Sequence, residues 1–120
     1  MRYLIPLLFS CFLLSCNKMK TMKYTGKYTC TLTNTWWEQY TDGGSSTETI
    51  ELKVKRDENN FVIDQWYFPV DEISDGVTYT SGTYSSGTYR QITFTKNKMY
   101  ISTSGGGMGG GYSATYDCSK

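Results

Sequence analysis

Polar and apolar residues alternate with a period of two through much of the chain beyond residue 24. Tyr24, Gly26, Tyr28, Cys30, Leu32 and Trp36 share one parity, while Thr25, Lys27, Thr29, Thr31, Thr33 and Thr35 share the other. Successive strand side chains point to opposite faces, so this stretch predicts a half-buried strand with a threonine-rich wet face. Glu48 to Arg56 repeats the pattern, with Ile50, Leu52 and Val54 opposing Glu51, Lys53 and Lys55. Phe61 to Phe68 is apolar on both parities and predicts a third strand of undetermined facing, ended by Pro69. Val77 to Tyr84, Thr88 to Thr95, Met99 to Ser102 and Tyr112 to Cys118 predict further strands. Ile92 and Phe94 share a face in one of them, and Tyr112, Ala114, Tyr116 and Cys118 share a face in the last. Asp42-Gly43-Gly44, Asp57-Glu58-Asn59-Asn60, Ser85-Ser86-Gly87 and Asn97-Lys98 carry turn chemistry between them. No helical stripe of period 3.6 follows the N-terminal segment. Seven or eight short strands with regular turns predict an all-β fold, a small antiparallel meander closing into a barrel.

The first 15 residues differ in kind. Arg2 precedes an apolar run from Tyr3 to Leu14, too short to span a bilayer, which needs ~20 apolar residues, but fitting an export signal. Leu13-Leu14-Ser15-Cys16 resembles the lipobox of bacterial lipoprotein signals, with Leu8-Phe9-Ser10-Cys11 as a rival that leaves a shorter apolar run. The resemblance implies cleavage after residue 15 and a lipidated Cys16 holding the protein on a membrane through several acyl chains. Asn17, where an aspartate would be an inner-membrane retention signal, favours the outer membrane of a bacterial cell envelope. Residues 16–23, with Lys18, Lys20 and Lys23, then read as a lipidated cysteine and polar tether, and residues 24–120 as one domain.

With Cys11 in the signal and Cys16 lipidated, Cys30 and Cys118 remain. An even remainder in an oxidising compartment reads as a disulfide, the alternatives being a free thiol or a metal pair. A Cys30–Cys118 bridge would fasten the first strand to the last, as closure of a barrel requires.

Composition narrows the chemistry. The chain of 120 residues has 17 threonines, 11 tyrosines and no histidine, which excludes a Ser-His-Asp triad, a Cys-His dyad and histidine-ligated zinc. Residues 24–120 hold 8 basic and 11 acidic groups, a net charge of −3, which argues against nucleic acid as a partner. Asp71, Glu72 and Asp75 lack the alternate spacing of a calcium loop and read as an acidic turn, so no metal is expected. Those carboxylates, with Glu48 and Glu51, are the only general acid/base candidates in a domain with little room for a substrate cleft, so no enzyme activity is expected. Gly105-Gly106-Gly107-Met108-Gly109-Gly110-Gly111 lacks the Gly-Lys-Ser/Thr ending of a phosphate loop and reads as a flexible hairpin connection; no cofactor is implied. Trp36 and Trp37 are strand neighbours and face opposite ways, Trp36 inward with Leu32 and Trp37 outward. Together with Trp66 and Tyr67 they are the candidate binding residues, for a sugar, a small apolar ligand or a protein partner.

Two family resemblances bear on function. Gly26-Lys27-Tyr28 after a lipidated tether, and the Gly/Tyr/Thr-rich stretches Ser81-Gly82-Thr83-Tyr84 and Gly111-Tyr112-Ser113-Ala114-Thr115-Tyr116, resemble small bacterial lipoproteins with a lipocalin-like barrel. This implies non-catalytic binding at a barrel mouth or outer surface. Tyr28-Thr29-Cys30, the C-terminal cysteine and Ser81-Gly82-Thr83-Tyr84-Ser85-Ser86-Gly87 resemble the membrane-bound inhibitor of c-type lysozyme. That resemblance implies an inhibitory loop using Ser81, Gly82, Tyr84 and Ser85. A structural role in the envelope is the third expectation.

Overall fold

A computed structural model describes residues 18–40, 42–83, 88–107 and 109–120. Residues 18–24 are helical, and eight strands follow: β1 (Gly26–Glu38), β2 (Gly44–Asp57), β3 (Asn60–Ile63), β4 (Trp66–Pro69), β5 (Tyr79–Thr83), β6 (Thr88–Thr95), β7 (Lys98–Gly107) and β8 (Gly110–Ser119). All pairings are antiparallel in one sheet of order β4-β3-β2-β1-β8-β7-β6-β5. The first and last strands therefore pair, and Cys30 lies directly opposite Cys118, to which it is disulfide-bonded. The one open seam of this nearly closed barrel falls between β4 and β5. Side chains bridge it: Phe68 meets Tyr79 edge-on at 6.1 Å.

The stretch from Phe61 to Phe68 is a hairpin rather than one strand. Asp64 turns at φ 56°, the positive backbone angle that two-residue hairpins use. An even-numbered turn switches the inward parity, so Phe61 and Ile63 before it and Trp66 and Phe68 after it all face inward. That is why both parities of this stretch are apolar. The glycine run also departs from the expectation of a loose connection. Gly105–Gly107 end β7 and Gly110 and Gly111 begin β8 in continuous register. Tyr112 lies against Gly105 and Trp37 against Gly111.

The core fills the end of the barrel where β1 begins. Tyr28, Cys30, Val54, Phe61, Ile63, Phe68, Ile92, Phe94, Met99, Ile101 and Cys118 are buried there on the inward parity of their strands. The outward parity of β1 keeps Lys27, Thr29, Thr31 and Thr35 in solvent.

Residues 18–24 close this end of the barrel. A single helical stretch of seven residues leaves too short a periodic signal to read in the sequence, and docking holds it in place. Tyr24 stacks on Phe94 at 4.6 Å and meets Phe61 edge-on at 6.1 Å. Asp75 receives hydrogen bonds from the Tyr24 hydroxyl and the Lys96 backbone N–H, each at 3.2 Å, and pairs with Lys23 at 3.1 Å. Arg56 donates to Thr21 at 2.6 Å, and Lys120 to the Lys23 carbonyl at 2.7 Å. The acidic turn around Asp75 thus works as a clasp between the N-terminal segment and the β6–β7 turn. Lys23 and Lys96 hold its carboxyl below the ordinary range, and burial, reinforced by Asp75, pushes the Tyr24 phenol up to about 12.

Candidate functional site

β1, β2, β7 and β8 run on past the core, and their inward parity leads from its outermost buried layer, which includes Ile92 and Ile101, to a half-exposed face at the far end. Register sets three levels on it. Leu32, Glu48, Tyr116, Ile101, Ile92 and Tyr79 form the first; Asn34, Ser46, Ala114, Thr103, Arg90 and Ser81 the second. Trp36, Gly44, Tyr112 and Gly105 form the third.

Glycine shapes this third level. A Cβ on Gly44 would fall 2.2 Å from the Trp36 ring, and one on Gly105 would fall 2.9 Å from the Tyr112 hydroxyl and 3.0 Å from its ring. Each ring therefore lies against backbone across the neighbouring strand, a contact that any larger residue would prevent. Trp36 and Tyr112 are directly opposite each other on β1 and β8 and lean apart, one over β2 and the other over β7. Together they make a floor about three strand spacings wide, roughly 14 Å. Although packed on the sheet, the two residues stay half-exposed, at 41% and 52%.

One level nearer the core, Arg90 reaches inward from β6. Its guanidinium carbon lies 4.3 Å from the centre of the Trp66 ring, and Trp66 in turn meets Tyr116 edge-on at 5.4 Å. A guanidinium over an indole face is a cation–π contact. Arg90 has no carboxylate partner among the described residues, and its Nε is buried without a hydrogen-bond acceptor among them. Burial lowers its pKa, against the opposing pull of the Tyr116 and Tyr112 phenols. Burial likewise raises the Tyr116 phenol; Arg90 works against that shift, and Asp64 and Glu48 add to it.

The four binding candidates do not form one patch. Trp36 and Trp66 share the inner face. Trp37 lies on the outer face across Gly111, whose added Cβ would sit 2.5 Å from the indole nitrogen. Tyr67, 60% exposed, also faces outward, beside Val62 on β3, so it does not extend the Trp36 surface. Ser81 stands opposite Arg90 on the inner face and Gly82 follows it on β5, whereas Tyr84, Ser85 and the lipidation candidate Cys16 lie outside the described residues. Glu48 and Glu51 occupy opposite parities of β2 and do not converge as an acid/base pair.

Arg90, Tyr112 and Tyr116 are not among the binding candidates that the sequence singles out. Parity groups both tyrosines with Ala114 and Cys118. An arginine sharing the parity of Ile92 and Phe94 is the signal for Arg90, because a charge on the apolar face of a strand demands a reason. Among the described residues, no three acidic or cysteine side chains cluster as metal ligands, and no helix is long and apolar enough to cross a membrane. Compared with family models, curated proteins and solved structures, the chain finds no match.

Proposed function

We propose that this is a lipid-anchored protein of the bacterial cell envelope that binds a small ligand, without catalysis, on the concave inner face of its barrel. The observation that carries the reading is the Trp36–Tyr112 floor, two half-exposed aromatic rings packed directly on glycine. Rigid, flat, half-exposed aromatics are suited to stacking on a sugar ring or an apolar ligand, because most of the ordering is complete before the ligand arrives.

The anchor fits the same reading. Exposed Met19 and Met22, with Lys18 beside them, follow directly on the Cys16 lipidation candidate, an arrangement compatible with a bilayer surface. From Gly26 at the closed end, Trp36 lies ten residues along β1, about 33 Å at strand rise, so the ligand face is held away from the anchored end. Tryptophan fluorescence of the purified protein against a panel of sugars and small apolar molecules tests the proposal. A saturable change with at least one ligand class, lost in Trp36→Ala, is expected. Emission unchanged across the panel would refute it.

A further inference from the structure

The inner face carries a charge pattern as well as a stacking floor, and the pattern is specific. Among the described strand residues two basic side chains have inward parity, Arg56 and Arg90. Arg56 is engaged at the closed end with Thr21 and the Glu58 carbonyl. Arg90 is the remaining inward cation, one level nearer the core than the floor. Its planar face is taken by Trp66, which leaves the N–H edges as its means of recognition. The Nε–H is buried and has no acceptor among the described residues, so no protein oxygen there satisfies the guanidinium, and the terminal N–H groups are left for recognition.

The titratable neighbours fix the charge of the group that fits. Glu48 and Glu38 share the inward parity, Tyr112 and Tyr116 face Arg90, and Asp64 acts on Tyr116 from the β3–β4 turn. One cation among these acids suits a single negative charge better than a dianion. A carboxylate also matches the guanidinium fork. Arg90 and Tyr112 are separated by two strand spacings, roughly 10 Å, the span of about two sugar rings.

Resting on the reading of the inner face as a ligand site, we propose that Arg90, backed by Trp66 and framed by Tyr112 and Tyr116, receives the carboxylate of an acidic sugar whose rings lie on the Trp36–Tyr112 floor. The test is calorimetric titration of the full-length protein with 3′-sialyllactose, which carries one carboxylate, and with its methyl ester, which carries none. The acid binds at least tenfold more tightly than the ester. Arg90→Gln reduces the acid to the level of the ester, and Trp36→Ala weakens both. Equal affinity for the two sugars in the unaltered protein, or a preference that survives Arg90→Gln, overturns charge recognition by Arg90. In the case of equal affinity that still depends on Trp36, the ligand face itself stands; binding of neither sugar overturns the proposal outright. Because the acid-to-ester ratio is read first in the unaltered protein, the result does not depend on the variants folding.

Discussion

Replacing both Cys30 and Cys118 by alanine removes the one covalent tie between the first and last strands. The two residues are 88 positions apart, so the closed loop holds 89 residues. The chain-entropy relation gives about 4.5 kcal/mol for a loop of that size at 25 °C. Domains of this length are stable by only about 5–15 kcal/mol, so the bridge accounts for about 30% or more of the total. The ladder on both sides of Cys30, from Thr29 opposite Ser119 to Glu38 opposite Gly110, keeps β1 and β8 paired in the folded state without it. The loss therefore arises mainly in the unfolded chain, which gains the freedom that the bridge denied it. Urea denaturation followed by tryptophan emission measures the effect. With a slope near 1.5 kcal/mol per molar urea, the midpoint falls by about 3 M. A midpoint lowered by less than about 0.5 M would refute the reasoning, because the bridge would then close no long loop that matters to stability.

Three further outcomes follow from the same geometry. Gly44→Val places side-chain atoms where the Trp36 indole lies and lifts the ring off the sheet; ligand affinity falls at least tenfold while the circular dichroism stays that of a β-protein. Burial pushes the phenols of Tyr24 and Tyr28 up to about 12, with Asp75 adding to the first and Tyr24 to the second. A raised phenol pKa favours the neutral folded form, so this contribution to stability is complete below pH ~10 and is lost as pH rises from 10 towards 12. Absorbance at 295 nm shows Tyr24 and Tyr28 among the late-ionising tyrosines, and Tyr28→Phe removes one late step. Asp75 shows the opposite sign. Its carboxyl is held low by Lys23 and the Lys96 N–H, so its contribution is present above the ordinary carboxylate pKa and fades as pH falls through the lowered value. Asp75→Asn flattens the acid limb of a stability–pH profile; an unchanged limb would show that the clasp carries no charge-dependent stability.

The parts of the fold readable from sequence are those where one face is wet. β1, β2, β6 and β8 alternate because their outer faces carry Thr, Lys, Glu and Gln, and period two follows directly. The β3–β4 hairpin was hidden because its turn, Asp64-Gln65, lacks glycine and proline, and because the parity switch made two strands look like one apolar run. The glycine run misled for the converse reason. Glycine is a turn residue by composition, yet Gly105 and Gly111 are strand positions supporting Tyr112 and Trp37, a role visible only once the register of β1, β7 and β8 is known. The site divides along the same line. Parity sufficed to send Trp36 and Trp37 to opposite faces. No local pattern brings Trp66 of β4 onto Arg90 of β6, because their contact depends on the sheet curling until its two edges meet.

The three tryptophans offer the most direct test of the inner face as the binding surface. Indole N–H signals of the 15N-labelled protein, assigned by single Trp→Phe substitutions, are followed during titration with 3′-sialyllactose. Trp36 and Trp66, which face inward, shift progressively to saturation, and Trp37, on the outer face across Gly111, stays in place. Movement of Trp37 alone, or of none of the three at millimolar sugar, would contradict the account.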